Sequence, residues 1–402
     1  MMDERLQEAT RSPAHTEDMS AQSVGTLSTG TPQEEVTAGT RTVGVEEEFL
    51  LVDPHTGRTV PIASALLQSG TGPDTEDEHV EAELQEQQLE TRTDPHARLA
   101  ALREGLIERR LQADEIARTA GARIVALATA PLPVTPITTP AARYQRMAQR
   151  YGPIEQSQLS CGCHVHVAVA SDDEAVTAID RIRGWLAPLV ALTSNSPFYG
   201  GEDTSYASFR TQLWSRWPST GPIEVVHTPK AYEELVTQVL ATGSAMDRGM
   251  VYFDARLSES YPTVEVRVAD VCLDVDDAVL MAALVRGLVD SATAEWVDDE
   301  PIPVAAHVLR GAGWRASRFG LSEELYHPVE GRSLPASEVV HDLYSRIRPA
   351  LDRYGDADWV GQRLEHLLRD GNGADHQRTV YGRTGSLEAV VADAVEVTTR
   401  QP

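Results

Sequence analysis

Four stretches of this chain alternate as β-strands do, yet carry carboxylates, amides and imidazoles where a half-buried strand would be apolar. They are Val43-Gly44-Val45-Glu46-Glu47-Glu48-Phe49-Leu50, Glu83-Leu84-Gln85-Glu86-Gln87-Gln88-Leu89-Glu90-Thr91, Cys161-Gly162-Cys163-His164-Val165-His166-Val167 and Thr263-Val264-Glu265-Val266-Arg267-Val268. Burying such groups costs on the order of several kcal/mol each unless they are paired or hold a metal. A chain that does so four times is constrained to an open sheet whose inner face holds cations and a charged ligand. That is the arrangement of an enzyme site.

A formal net charge of −26 and a pI near 4.8 argue against nucleic acid or an anionic membrane as the main partner. They suit a cytoplasmic protein. No early apolar run has the form of a signal peptide, and no run is long and uncharged enough to span a bilayer. Three cysteines cannot build a disulfide framework. Lys230 is the only lysine. It follows no glycine-rich loop, so any phosphate must be handled by metal ions, arginines and backbone amides rather than by a phosphate-loop lysine.

Residues 1–40 contain no aromatic side chain and are rich in Ser, Thr, Glu, Gln and Gly, the composition of a disordered tail. Residues 41–402 read as a single catalytic domain with a helical C-terminal part. Strand signals fall at 42–52, about 80–91, 122–128, 161–169, 250–257 and 262–269. Asp94-Pro95 predicts a helix start, Ser171-Asp172-Asp173-Glu174 a capping box, Thr228-Pro229 another start, and Asp274 the cap of a long apolar helix. After Pro301 the sequence reads as helices and loops. Without regular βα alternation or an internal repeat, an α+β fold fits better than a doubly wound sheet or a (β/α)8 barrel.

Period 2 assigns side chains to faces. Glu46 and Glu48 share one face, whereas Glu47 falls with Val43, Val45 and Phe49 and must be paired or near the rim. His164 and His166 share a face opposite Cys161 and Cys163, so Cys-x-Cys-His is not a zinc site and the thiols are small core residues. Glu265 and Arg267 share a face, as a simple ion pair or as a cation ligand beside a carboxylate- or phosphate-binding guanidinium. Glu83 and Glu90 are seven residues apart, so a bulge or bend is needed to aim both inward. Hard oxygen donors dominate, which favours Mg²⁺ or Mn²⁺ over zinc. Carboxylates around divalent ions, with arginines beside them, describe a site for phosphoryl transfer from a nucleotide.

In order along the chain, these motifs, together with Ser194-Asn195-Ser196-Pro197-Phe198, resemble glutamate–cysteine ligase type 2, and within it the carboxylate–amine ligase branch. Trp314-Arg315-Ala316-Ser317-Arg318-Phe319-Gly320 and Gly371-Asn372-Gly373-Ala374-Asp375-His376-Gln377-Arg378 resemble that branch's C-terminal signatures. The resemblance runs from about residue 42 to the end. It implies a glutamine-synthetase-like curved, mainly antiparallel sheet forming a funnel, with helices packed outside, and it implies ATP and Mg²⁺. By position, Glu46, Glu48, Glu83, Glu90, His164 and Glu265 resemble metal-facing residues. Arg267 and Glu265 are expected to take catalytic roles, and His166, Arg210, Arg267, Arg315 and Arg378 are expected to face substrate or phosphate. Ala168 and His376 depart from the common pattern, where glycine and arginine are usual.

The expected activity is ATP-dependent joining of a carboxylate, the γ-carboxylate of L-glutamate, to an amine such as L-cysteine, through an acyl phosphate. Paired subunits are expected from the resemblance alone. Two rivals remain: a nucleotide-binding regulatory protein without ligation, and a metal-dependent amidohydrolase suggested by His-x-His on a strand.

Overall fold

The computed structural model describes residues 40–70, 79–294 and 300–400. The expected disordered tail, apart from residue 40, lies outside the described residues. The strands are β1 (Val43–Val52), β2 (Val80–Ala82), β3 (Gln88–Arg92), β4 (Arg123–Val125), β5 (Gly162–Ala168), β6 (Phe198–Tyr199), β7 (Glu202–Asp203), β8 (Ala255–Leu257), β9 (Thr263–Asp270), β10 (Glu324–His327) and β11 (Arg332–Pro335). Seven of them form one sheet in the order β2-β3-β1-β5-β9-β8, with β4 beside the end of β1. Every ladder in it is antiparallel. The α+β class is therefore present, and the described residues form no parallel barrel of the kind an amidohydrolase would need.

Alternation decides the two faces. Val43 and Val45 of β1, Val165 and Val167 of β5, and Val264 and Val266 of β9 are all buried in one apolar cluster. β-Branched side chains fit such a pleated surface. Against it pack the helices Asp172–Ile182, Leu186–Thr193 and Val275–Thr293. The last is buried continuously from Ala278 to Ala292, as a helix apolar on all sides must be. A second cluster joins Phe49–Val52 of β1 and Ile124 and Val125 of β4 to Val391, Ala394 and Val395 of the C-terminal helix Leu387–Thr398.

Some local expectations shift. The helix expected from Asp94-Pro95 begins at Leu99. Val43 and His96 exchange both backbone hydrogen bonds at 2.9 Å, so the sheet holds residue 96 extended. The expected strand at 80–91 is two short strands with a loop through residues 83–87 between them. The helix capped by Ser171 breaks into a 3-10 turn at Arg183–Trp185, where a Cβ on Gly184 would lie 3.0 Å from Pro328. The region after Pro301 is not only helices and loops, because β10 and β11 form a hairpin. Thr228 caps Pro229–Ala241 as expected, and Lys230 stands on that helix with its side chain 87% exposed. No helix among the described residues is long and apolar enough to cross a membrane.

Candidate active site

The antiparallel register brings together residues far apart in sequence. Glu46 lies opposite His164, and Glu48 opposite Glu90. His166 lies opposite Glu265, and Glu265 opposite Arg256 of β8. Period 2 then sets all of these, with Arg267, on the sheet face opposite the valines.

Among the described residues, two groups of three have ligand atoms within 4.8 Å of one another: Glu46, His166 and Glu265, and Glu48, Glu83 and Glu90. Glu83 reaches the second group from the loop after β2, which is the bend its spacing required. Tyr144 donates to its carboxylate at 3.2 Å. Burial and the neighbouring Glu48 push the Glu83 carboxyl up to about 7, and burial with Glu46, Glu83 and Glu48 nearby pushes Glu90 well above the carboxylate range. A cation relieves the mutual repulsion of three converging carboxylates.

The first group is more fully paired. Burial opposes ionisation of Glu46, but the imidazoles of His164 and His166, each with a ring nitrogen 3.4 Å away, hold its carboxyl well below the usual range. Burial and the charge of Arg267 hold His164 below the ordinary imidazole value. Burial opposes protonation of His166, yet Glu46 and Glu265 raise it, while its Nδ1 lies 3.0 Å from the Thr263 hydroxyl. Glu265 is buried, but Arg267 and Arg256 hold it down at about 2. Arg256 donates to it at 2.6 Å, and Arg267 pairs with its other oxygen. The buried Nε2 of His164 has no hydrogen-bond partner among the described residues. That orphaned nitrogen and the carboxylate trio fit hard divalent cations with imidazole as a minority donor.

Arg210 and Arg267 border this face and are almost fully buried. Both stand against Trp214, whose ring centre is 5.6 Å from the Arg210 guanidinium carbon and 5.9 Å from that of Arg267. Neither Nε finds a hydrogen-bond partner among the described residues. Gly162 makes the crowding possible, since a Cβ there would sit 2.3 Å from Arg210 Nη2 and 2.9 Å from His164 Nε2.

Arg315 and Arg378 lie elsewhere. Arg315 donates to the Glu324 carbonyl at 2.7 Å and faces Glu323 and Glu324. Arg378 holds Asp203 of β7 through two bonds and the Tyr206 carbonyl through a third. Acids already neutralise both guanidinium groups away from the carboxylate groups, so the structure does not bring them to the sheet face. Arg256, Tyr144 and Thr263 were not legible as site residues. Arg256 had one available signal: Asp254-Ala255-Arg256 alternates in the same way as Glu265-Val266-Arg267.

An antiparallel sheet with one valine face and one face of carboxylates, imidazoles and arginines can hold cations beside a charged ligand, and the family match makes it the sheet of an ATP-dependent ligase. The chain belongs to glutamate-cysteine ligase family 2, whose pattern matches residues 42–393. It is 50% identical over 359 residues to a Streptomyces coelicolor protein named "Putative glutamate--cysteine ligase 2", covering 89% of this chain and 99% of that one. A Frankia alni relative with a numbered form of that name is 46% identical over 376 residues, covering 90% and 98%. In fold, the chain is similar to the solved glutamate–cysteine ligase of Francisella tularensis in complex with AMP. The TM-score is 0.64 at 13% identity, covering 90% of this chain and 88% of that one.

Proposed function

We propose that this enzyme joins the γ-carboxylate of L-glutamate to an amine, L-cysteine or another, using ATP and Mg²⁺ or Mn²⁺. The observation that carries it is the pair of three-residue donor groups lying beside two buried, under-bonded arginines. Relatives that share nearly the whole chain bear the name of that reaction.

Glu46, Glu48, Glu83, Glu90, His164 and Glu265 would hold the cations. When bound, these supply charge neutralisation for the ATP phosphates and the transferred phosphoryl group. Arg267, fixed by Glu265, would offer its remaining donors to that group, an electrostatic contribution of about 3–4 kcal/mol. Arg210 receives the carboxylate substrate, and His166 stands on the phosphate side. The substrate carboxylate attacks the γ-phosphorus as ADP leaves, and the amine then displaces phosphate from the acyl carbon. Arg315 and Arg378, spent on acids, hold the C-terminal helices in place. A cytoplasmic location and paired subunits complete the proposal.

The test is ADP release from ATP, Mg²⁺ and L-glutamate with L-cysteine added or omitted, with the product mass measured. Cysteine-dependent ADP with γ-glutamylcysteine supports the full proposal. ADP with a different amine retains the ligase chemistry and removes cysteine. ATP binding without turnover on any carboxylate and amine overturns it in favour of a nucleotide-binding regulator.

A further inference from the structure

Arg210 and Arg267 stand at one end of a cavity of about 420 Å³, the rest of which has no role in the reaction steps above. It falls within the roughly 300–1,000 Å³ of pockets that enclose small organic ligands. Trp214, Phe253 and Trp314 supply much of its wall. Trp314 is 46% exposed at the mouth, held by a hydrogen bond to the Tyr206 hydroxyl. Asp254 is the one carboxylate among the described residues that line it.

Asp254 has a defined place. Arg256 lies opposite Glu265 and Ala255 opposite Val266. The hydrogen bond from Arg267 N to Asp254 O, 3.0 Å, carries this register one residue further. Asp254 therefore stands across from Arg267 on the polar face, yet Arg267 turns to Glu265. Among the described residues the Asp254 carboxylate has no hydrogen bond or ion pair, only the longer-range field of Arg310.

Resting on the ligase reading above, we propose that this cavity seats the amine substrate and that Asp254 binds its ammonium group and takes the proton it must lose to attack. The substrate class is a primary amine, protonated at neutral pH, with an aromatic or extended apolar body. Indole faces recognise such a cation, and Trp214, Phe253 and Trp314 offer apolar and aromatic surface to the body that carries it.

The ammonium gives one proton to Asp254 and becomes a free amine. Its lone pair forms the C–N bond at the acyl carbon. The C–O bond to phosphate then breaks, phosphate leaves with that electron pair, and it carries off the second proton from nitrogen. Burial pushes the Asp254 carboxyl up to about 7, offset in part by Arg310, which suits a base at neutral pH. Arg210, Arg267, His307 and Arg310 are the other titratable or charged groups on the cavity wall. The two inner arginines mark the acyl phosphate end.

The experiment compares methylamine, L-cysteine, 2-phenylethylamine and hydroxylamine as acceptors, with ATP, Mg²⁺ and L-glutamate, measuring amide or hydroxamate by mass. Hydroxylamine is already neutral at pH 7 and small, so it traps the acyl phosphate without needing a base or a cavity. We expect kcat/KM for 2-phenylethylamine to exceed that for methylamine by about tenfold or more. Asp254→Asn should raise the ratio of hydroxamate to amide formation by about a hundredfold or more and remove the acidic limb from the amide pH profile. Trp314→Ala, at the exposed mouth, should raise KM for 2-phenylethylamine and leave that for hydroxylamine unaltered.

Equal loss of hydroxamate and amide in Asp254→Asn would make Asp254 structural and overturn the proposal. So would methylamine used as well as 2-phenylethylamine. Hydroxamate formation by the wild-type enzyme in either case leaves the ligase reading standing. No hydroxamate from the wild type with any carboxylate would remove both.

Discussion

Glu47 and Glu48 are neighbours in sequence and face opposite environments. Glu47, on the valine face, is fully buried and held by Arg110 Nε at 2.9 Å and Nη2 at 2.6 Å. Arg110 spends its remaining donors on the carbonyls of Cys272 and Leu273. Removing one member of such a pair strands a buried charge. Glu47→Gln should therefore lose about 3–5 kcal/mol in urea unfolding, and Glu47→Met with Arg110→Leu should recover most of it. Glu265→Gln tests the other face: turnover should vanish while the far-ultraviolet circular dichroism spectrum keeps its native shape, and the melting midpoint should fall because Arg256 and Arg267 lose their buried partner. That Glu47 needed a partner was legible from alternation, but its identity was not. Arg110 comes from the helix Leu99–Arg118, 63 residues away, and only tertiary packing makes them neighbours.

At the scale of elements, period 2 carried most of the site because β1, β5 and β9 are long enough to alternate. Glu83 and Asp254 escaped it for a shared reason: both sit beside short strands, in backbone that bends. The helix Val275–Thr293 shows what burial does to charge at an element's end. Asp277, in its first turn, pairs with Arg363 at 2.6 Å. Desolvation still outweighs that attraction and raises its carboxyl to about 6. A folded pKa above the unfolded one means the native state binds more protons between the two values, so stability falls as pH rises through that window. Between pH 4 and pH 6 the loss should be on the order of 3 kcal/mol from this group. Asp277→Asn should flatten that part of the urea-midpoint profile against pH, and an unchanged slope would assign it elsewhere.

At the scale of the whole molecule, the Gly371–Arg378 signature ties distant segments of the chain together. Asn195 binds the carbonyls of Ala126 and Val271 through its amide, and its backbone NH donates to Asp270. Gln377 reaches back to both its backbone and side-chain oxygens. Gly373 lets the chains approach, since a Cβ there would meet the Asn195 Oδ1 at 2.4 Å. Gln377→Leu should cost about 1–3 kcal/mol in thermal unfolding by stranding buried polar groups, with KM for ATP unchanged. The one lysine adds a practical consequence. Lys230 projects from a solvent-facing helix and no site residue carries an amine, so apart from the α-amino terminus an amine-reactive ester has a single address on this protein. Tethering through Lys230 should immobilise the enzyme in one orientation, with the polar face of its sheet chemically untouched.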